Sequence, residues 1–267
     1  MRRYAIRIAG PLTGIVLAVV IGAAPALAAP ARQVSPAASP AGAPGQAEEL
    51  NARRHCVREW RAAKAEPTVE HLRAVGLCEI DRRLVTIQRL EGLVDGARAL
   101  TEAHATALEA ILDHSAAGLR ALRAEIEADA TVGELRADIE AIFSDFRIYA
   151  LVTRQVHLVR AADTVDAAAV RLDGLADRLA AAIEEAAASG NDVTEARAHL
   201  GAMRAAIDAA QAEVAGDADA VLVLTPAGWN AGTAKPVLDA AHRSVVAARA
   251  DLKTALAEAR AVRAALR

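Results

Sequence analysis

Seven histidines, His55, His71, His104, His114, His157, His199 and His242, are the side chains best suited to hold a metal or shuttle a proton. No two stand at i, i+3 or i, i+4, the spacings that set two imidazoles on one helix face for zinc, and HExxH is absent. Two carboxylate pairs do have helical spacing: Asp163 with Asp166, and Asp173 with Asp177. Such pairs build two-metal sites in helix bundles when Glu-x-x-His motifs on other helices complete them. The chain has no such motif, so the pairs read as a solvated acidic face balanced by Arg160, Arg171 and Arg178. Asp217-Ala-Asp219 lacks the Gly and Glu of a calcium loop. Phosphate-cradling glycine motifs and nucleophile elbows are also missing. The sequence therefore predicts no catalytic residue, no metal and no cofactor.

Two chemistries remain. Cys56 and Cys78 lie symmetrically about Pro67, so a helical hairpin turning at Pro67 brings the two sulfurs face to face. A bridge there contributes about 3 kcal/mol by restricting the unfolded chain. The other is aromatic. Beyond the first thirty residues the rings are Trp60, Phe143, Phe146, Tyr149 and Trp229, three of them crowded into "FSDFRIYALVTRQVH" (143–157). Phe143, Phe146, Tyr149 and Trp229 form a candidate interaction patch. The clustered rings suit a local core, a self-association face or an apolar-ligand site. Trp229, on a Gly-rich loop, suits either a recognition residue or a plug for the end of a bundle. Trp60 is expected to pack beside the disulfide.

Elements that would position these residues follow from composition. Arg2, Arg3 and Arg7 precede an uncharged stretch from Ile8 to Ala31, and Ala26-Leu27-Ala28 follows Pro25. That pattern predicts a signal peptide over 1–28, cleaved after Ala28. The alternative is an uncleaved anchor, since the stretch is long enough to span a bilayer. Residues 29–47, rich in Pro, Ala, Ser and Gly, predict a flexible tether. Removing the three leading arginines makes the net charge of −3 more negative still. A nucleic-acid surface needs a concentrated basic face instead.

No proline occurs from Thr68 through Thr225. The expected fold for 48–267 is all-α: an elongated antiparallel bundle or coiled-coil hairpins without sheet, with helices near 48–65, 68–130, 131–188, 192–222 and 235–267. Apolar residues recur at three-and-four spacing. One series is Val165, Ala168, Leu172, Leu175, Leu179, Ala182 and Ala186; a second runs from Val193 to Val214, and a third from Leu238 to Leu266. Thr131 with Glu134, and Asp192 with Glu195, read as capping boxes. Residues 225–233 read as the one long internal loop. Unbroken, the hairpin 68–130/131–188 would extend roughly 85–95 Å and leave a two-helix finger over 101–157. A break near residue 101, or at Gly92 or Gly96, would give a compact bundle instead.

The segment "IFSDFRIYALVTRQVHLVRAAD" (142–163), with "VLTPAGWN" and the helix from Leu252 to Arg260, resembles a family of exported, all-helical, coiled-coil-like bacterial proteins with no established activity. The resemblance implies an exported helical fold and transfers no site residue. The expected role is that of an exported structural or scaffold-like interaction protein of the cell envelope or extracellular space. Its expected partners are a second copy of itself or an envelope protein. Nucleic acid is not among them, and membrane contact is confined to the signal peptide or a weak surface association. An apolar-ligand or membrane-surface binder is the alternative.

Overall fold

The computed structural model describes residues 56–267. The signal segment 1–28, the tether 29–47 and the first part of the helix expected at 48–65 lie outside the described residues. The fold is all-α, with no strand among the described residues. Helix α1 runs through 56–65 and turns at Pro67. It is followed by α2 (Val69–Asp95), α3 (Glu102–Ala128), α4 (Val132–Ser144), a π-helical turn (Ile148–Val152) and α5 (Thr153–Ala188). Then come α6 (Thr194–Val214), α7 (Asp217–Leu222), α8 (Pro226–Asn230) and α9 (Ala234–Ala265).

Helix starts follow local chemistry. Thr68 and Thr101 each accept a backbone N–H three residues on, from His71 and His104. Thr131 and Glu134 form the expected reciprocal box. Asp192 does not complete a second box with Glu195. Its Oδ1 accepts the Thr194 amide at 2.9 Å in a local turn, and Val193 starts α6 without a side-chain cap. The stop after α5 is as expected, with Gly190 at φ +84° just past the helix.

Three expected helices are broken. The run 68–130 parts between Gly96 and Thr101, which selects the compact arrangement; α3 folds back along α2, and the two-helix finger does not form. The run 131–188 parts at Asp145–Val152, inside the aromatic stretch. The run 192–222 parts at Gly216, whose φ of +77° turns the chain into α7. Conversely, 225–233 is not all loop: Thr225 caps the short α8, with Pro226 at its first position.

One core unites α1 to α4, the π turn, the first half of α5, the end of α6, α7 and the first half of α9, around Ile80, Ile87, Leu90, Leu108, Leu119, Ile142 and Leu151. A second continues from it between the far halves of α5, α6 and α9, with Leu252 packed against both. In this arm α5 buries Ala169, Leu172, Ala176, Leu179 and Ile183. The seam thus keeps three-and-four spacing but runs through Ala169, Ala176 and Ile183 in place of Ala168, Leu175, Ala182 and Ala186. The α6 seam is buried as read, and so is that of α9 apart from the half-buried Leu252 and Leu266. Ion pairs rim the arm: Glu184–Arg197 at 3.0 Å, Asp177–Arg204 at 3.3 Å and Glu258–His199 at 2.7 Å.

Gly118 on α3 is a close-approach glycine. A Cβ there would lie 2.5 Å from the Phe146 ring, whereas one on Gly174 in α5 meets nothing within 4 Å. Gly118→Ala is expected to cost about 1–3 kcal/mol by overpacking, and Gly174→Ala to add about 0.5–1 kcal/mol through helix propensity. Urea midpoints of the two variants against the parent chain check both signs.

The His199 pKa is raised, first by its hydrogen bond to Glu258, against the opposing effect of burial, and further by Glu195. A raised histidine pKa favours the folded state fully below the unfolded value near 6.5. That contribution fades as pH climbs through the folded pKa. Intrinsic-rate-corrected amide exchange in α6 should therefore quicken between pH 6 and 8 (roughly the histidine window), and His199→Gln should flatten the dependence.

Candidate functional site

Among the described residues, the helix break at 145–152 organises Trp60, Phe143, Phe146 and Tyr149. Arg147 adopts a left-handed conformation, φ 45° and ψ 36°, a costly backbone for a residue with a side chain. It is held from outside: Arg147 Nε donates to Asn230 Oδ1 at 2.8 Å, and Asn230 Nδ2 donates to the Ser144 carbonyl at 3.0 Å. The π turn follows, with the Leu151 and Val152 amides both donating to the Arg147 carbonyl. A continuous helix would have put Phe143 and Phe146 on one side. The break sends them to different places.

Phe143 and Tyr149 face α1 and α2. The Phe143 ring lies 6.4 Å from that of Trp60, tilted by 52°. The Arg83 guanidinium sits 4.5 Å from the Phe143 centroid and 5.3 Å from that of Tyr149; Arg82 stands 4.9 Å from Tyr149. Beneath the rings Glu79 accepts from Trp60 Nε1 at 3.0 Å, Arg82 at 2.6 Å and Arg83 at 2.5 Å. The Tyr149 hydroxyl donates to the Arg82 carbonyl at 3.3 Å. Glu79 and Arg83 are buried, while Trp60 and Phe143 keep 39% and 36% of their surface exposed. The cluster is thus core on its inner side and surface on its outer side. Burial alone would raise the Glu79 pKa, but the hydrogen bonds from Trp60 and Arg83 and the charges of Arg82 and Arg83 outweigh it, and the pKa is lowered. Burial lowers the Arg83 pKa, against the pull of Glu79.

Cys56 and Cys78 are bonded, with Cα atoms 5.6 Å apart, and pin α1 to α2. Trp60, four residues after Cys56, donates to Glu79, the neighbour of Cys78, and meets the Phe143 ring.

Phe146 goes the other way, onto Gly118 of α3. There it lines a cavity of about 650 Å³ with Ile111, Leu151, Val152, Gln155 and Leu224 among its walls. Gln155 is 1% exposed and donates through Nε2 to the carbonyls of Val221 and Leu224, at 2.9 and 3.0 Å. Trp229 is half-buried on α8 and packs against the main core, the position of a plug. The four predicted patch residues therefore form no single patch.

The acidic face expected on α5 needs correction at Asp163. This carboxylate is 3% exposed; it accepts the Thr101 amide at 2.7 Å and His104 Nδ1 at 2.8 Å, tying the start of α3 to α5. His104 Nε2 lies 3.4 Å from Asp219 of α7. Burial, then the charge of Asp163, raises the Asp166 pKa, with His104 opposing. A third tie joins α5 to α9: Arg154 donates to Asp239 at 2.6 Å, and Lys235 also pairs with it. Lys235 and then Arg154 hold the Asp239 pKa at about 2. Among the described residues no group of three or more His, Cys, Asp or Glu side chains converges as a metal site. No described helix is long and apolar enough to cross a membrane.

Sequence reasoning passed over Glu79, Arg82, Arg83, Arg147, Gln155 and Asn230. The i, i+3, i+4 spacing of Glu79 with its two arginines was a visible ion-pair signal. Arg147 and Asn230 meet only through the break, which no glycine or proline announces. Set against family models, curated proteins and solved structures, the chain matches none.

Glu79→Ala should cost about 3–5 kcal/mol, because it strands buried Arg83. A depressed carboxylate pKa contributes stability above its unfolded value, near 4.5, and that stability is lost as pH falls through the folded pKa. The parent should thus lose more stability on acidification below pH 4.5 than Glu79→Gln does, as read by denaturant midpoints across the acid range.

Proposed function

We propose that this chain is an exported, non-catalytic interaction protein with a scaffold-like helical body. It is delivered by the segment 1–28 with cleavage after Ala28, and it acts at the cell envelope or outside the cell. The disulfide and the absence of a membrane-crossing helix among the described residues are compatible with that location. The resemblance of 142–163 and "VLTPAGWN" to exported helical bacterial proteins leads to the same reading.

The observation that carries the interaction role is the half-exposed ring pair Trp60–Phe143. Aromatic side chains dominate binding energy where they are rigid and flanked by apolar surface. Here the rings rest on a buried ionic layer, Val57 beside them is 48% exposed, and an adjoining groove is lined by Val57, Trp60, Ala63, Pro67, Leu72 and Arg136. The buried polar side chains Glu79, Arg83 and Asp163 tie helices together, which suits a rigid body.

Two measurements test this reading. Intact mass of the secreted chain should begin at Ala29 and shift by two protons on reduction; an unprocessed start or two free thiols contradicts export with a staple. Affinity capture from envelope extract should return a protein, or a second copy of this chain, that the surface variant Val57→Asp/Phe143→Gln loses by tenfold or more while its circular dichroism stays unchanged. Equal capture by parent and variant removes the ring face as the binding surface.

A further inference from the structure

We propose that the cavity behind Phe146 is a binding site for a small apolar molecule carrying one neutral hydrogen-bond-donor head, of the medium-chain alcohol or amide class. Its volume of about 650 Å³ lies within the roughly 300–1,000 Å³ range of ligand pockets. Its apolar walls include Ile111 of α3, Leu151 and Val152 of the π turn, and Phe146 and Leu224 of the connecting segments. The space opens to solvent on one side, and an apolar guest seated in it covers apolar wall that water otherwise meets.

The head group follows from what the site lacks. Gln155 lines the cavity at 1% exposure, and both hydrogen bonds it makes run through Nε2, to Val221 and Leu224. Its Oε1 has no protein donor. The oxygen is not sealed from solvent, and a hydroxyl or N–H on the ligand takes the place of water there. No lysine or arginine lines the cavity; its ionisable lining groups are His114 and Asp145. A carboxylate ligand would meet no fixed cation and would face Asp145, so fatty acids are disfavoured relative to the neutral head.

The mouth is pre-shaped. Ser144, Asp145 and Asn230 line it, and Asn230 with the Ser144 carbonyl holds the left-handed Arg147. π turns and strained non-glycine residues concentrate where a helix must re-aim side chains for function. Here they turn Leu151, Val152 and Gln155 into the cavity.

Calorimetric titration of the mature, disulfide-bonded chain with octanol and with octanoate tests the assignment. Octanol should give saturable heat, and octanoate, which faces Asp145 and no fixed cation, should bind roughly tenfold or more weakly, about the value of one hydrogen bond. Ala110→Trp, placed on the exposed side of α3 at the rim, should abolish octanol binding with unchanged circular dichroism, while leaving the ties of Gln155 intact. Gln155→Leu should weaken octanol at least tenfold; should that variant not fold, Ala110→Trp decides. Absence of saturable heat with octanol, equal binding of octanoate, or full binding by Ala110→Trp overturns the proposal.

Discussion

A carboxylate removed from water stays charged only if donors surround it, and Glu79 is surrounded from two helices. Arg82 and Arg83 reach it from one turn further along α2, and Trp60 reaches it from α1. Because Arg83 is itself buried, it needs covering, and the rings of Phe143 and Tyr149 cover it. Those rings come from opposite sides of the helix break. The pair thus constrains the Pro67 turn, the docking of α1 and the kinked path between α4 and α5 together. Replacing a buried pair by apolar residues is often neutral for stability; what the ions add here is a requirement that three segments meet in one register.

Much of the fold was legible because most of it rests on repeating local chemistry. Thr131 with Glu134, Gly190 after α5, and the buried series of α6 and α9 needed no knowledge of partners. The disulfide was legible because Cys56 and Cys78 sit symmetrically about a single proline. The break at Asp145–Val152 was not, since nothing local demands it: Arg147 is a poor left-handed residue, and the stretch has good helical periodicity. Its cause is tertiary, residing in Asn230 and in Gly118, which admits Phe146 only if the chain turns. Asp163 was misread as solvated for a related reason. Its partners, Thr101 and His104, lie on another helix, and an acidic residue looks the same in sequence whether it faces water or an amide.

The candidate sites share this origin. One kink divides three neighbouring rings between an outer face and an inner cavity, so both the Trp60–Phe143 surface and the Phe146 cavity exist because the helix is interrupted. A straight helix would have given a single apolar stripe against α3.

The small residues of the arm have a consequence of their own. Ala169, Ala176, Ala196, Ala255 and Ala259 allow α5, α6 and α9 to approach closely, but each buries little area. The bundle by contrast is filled with Ile and Leu and is stapled at Cys56–Cys78, on the opposite part of the chain order. Cohesion is therefore graded along the molecule, and the arm forms the weaker cooperative unit. Because α9 and α5 each have their first half anchored in the bundle, the arm can fray from its tip and zip shut again without the protein losing its register, much as a clasp held at its hinge closes on itself.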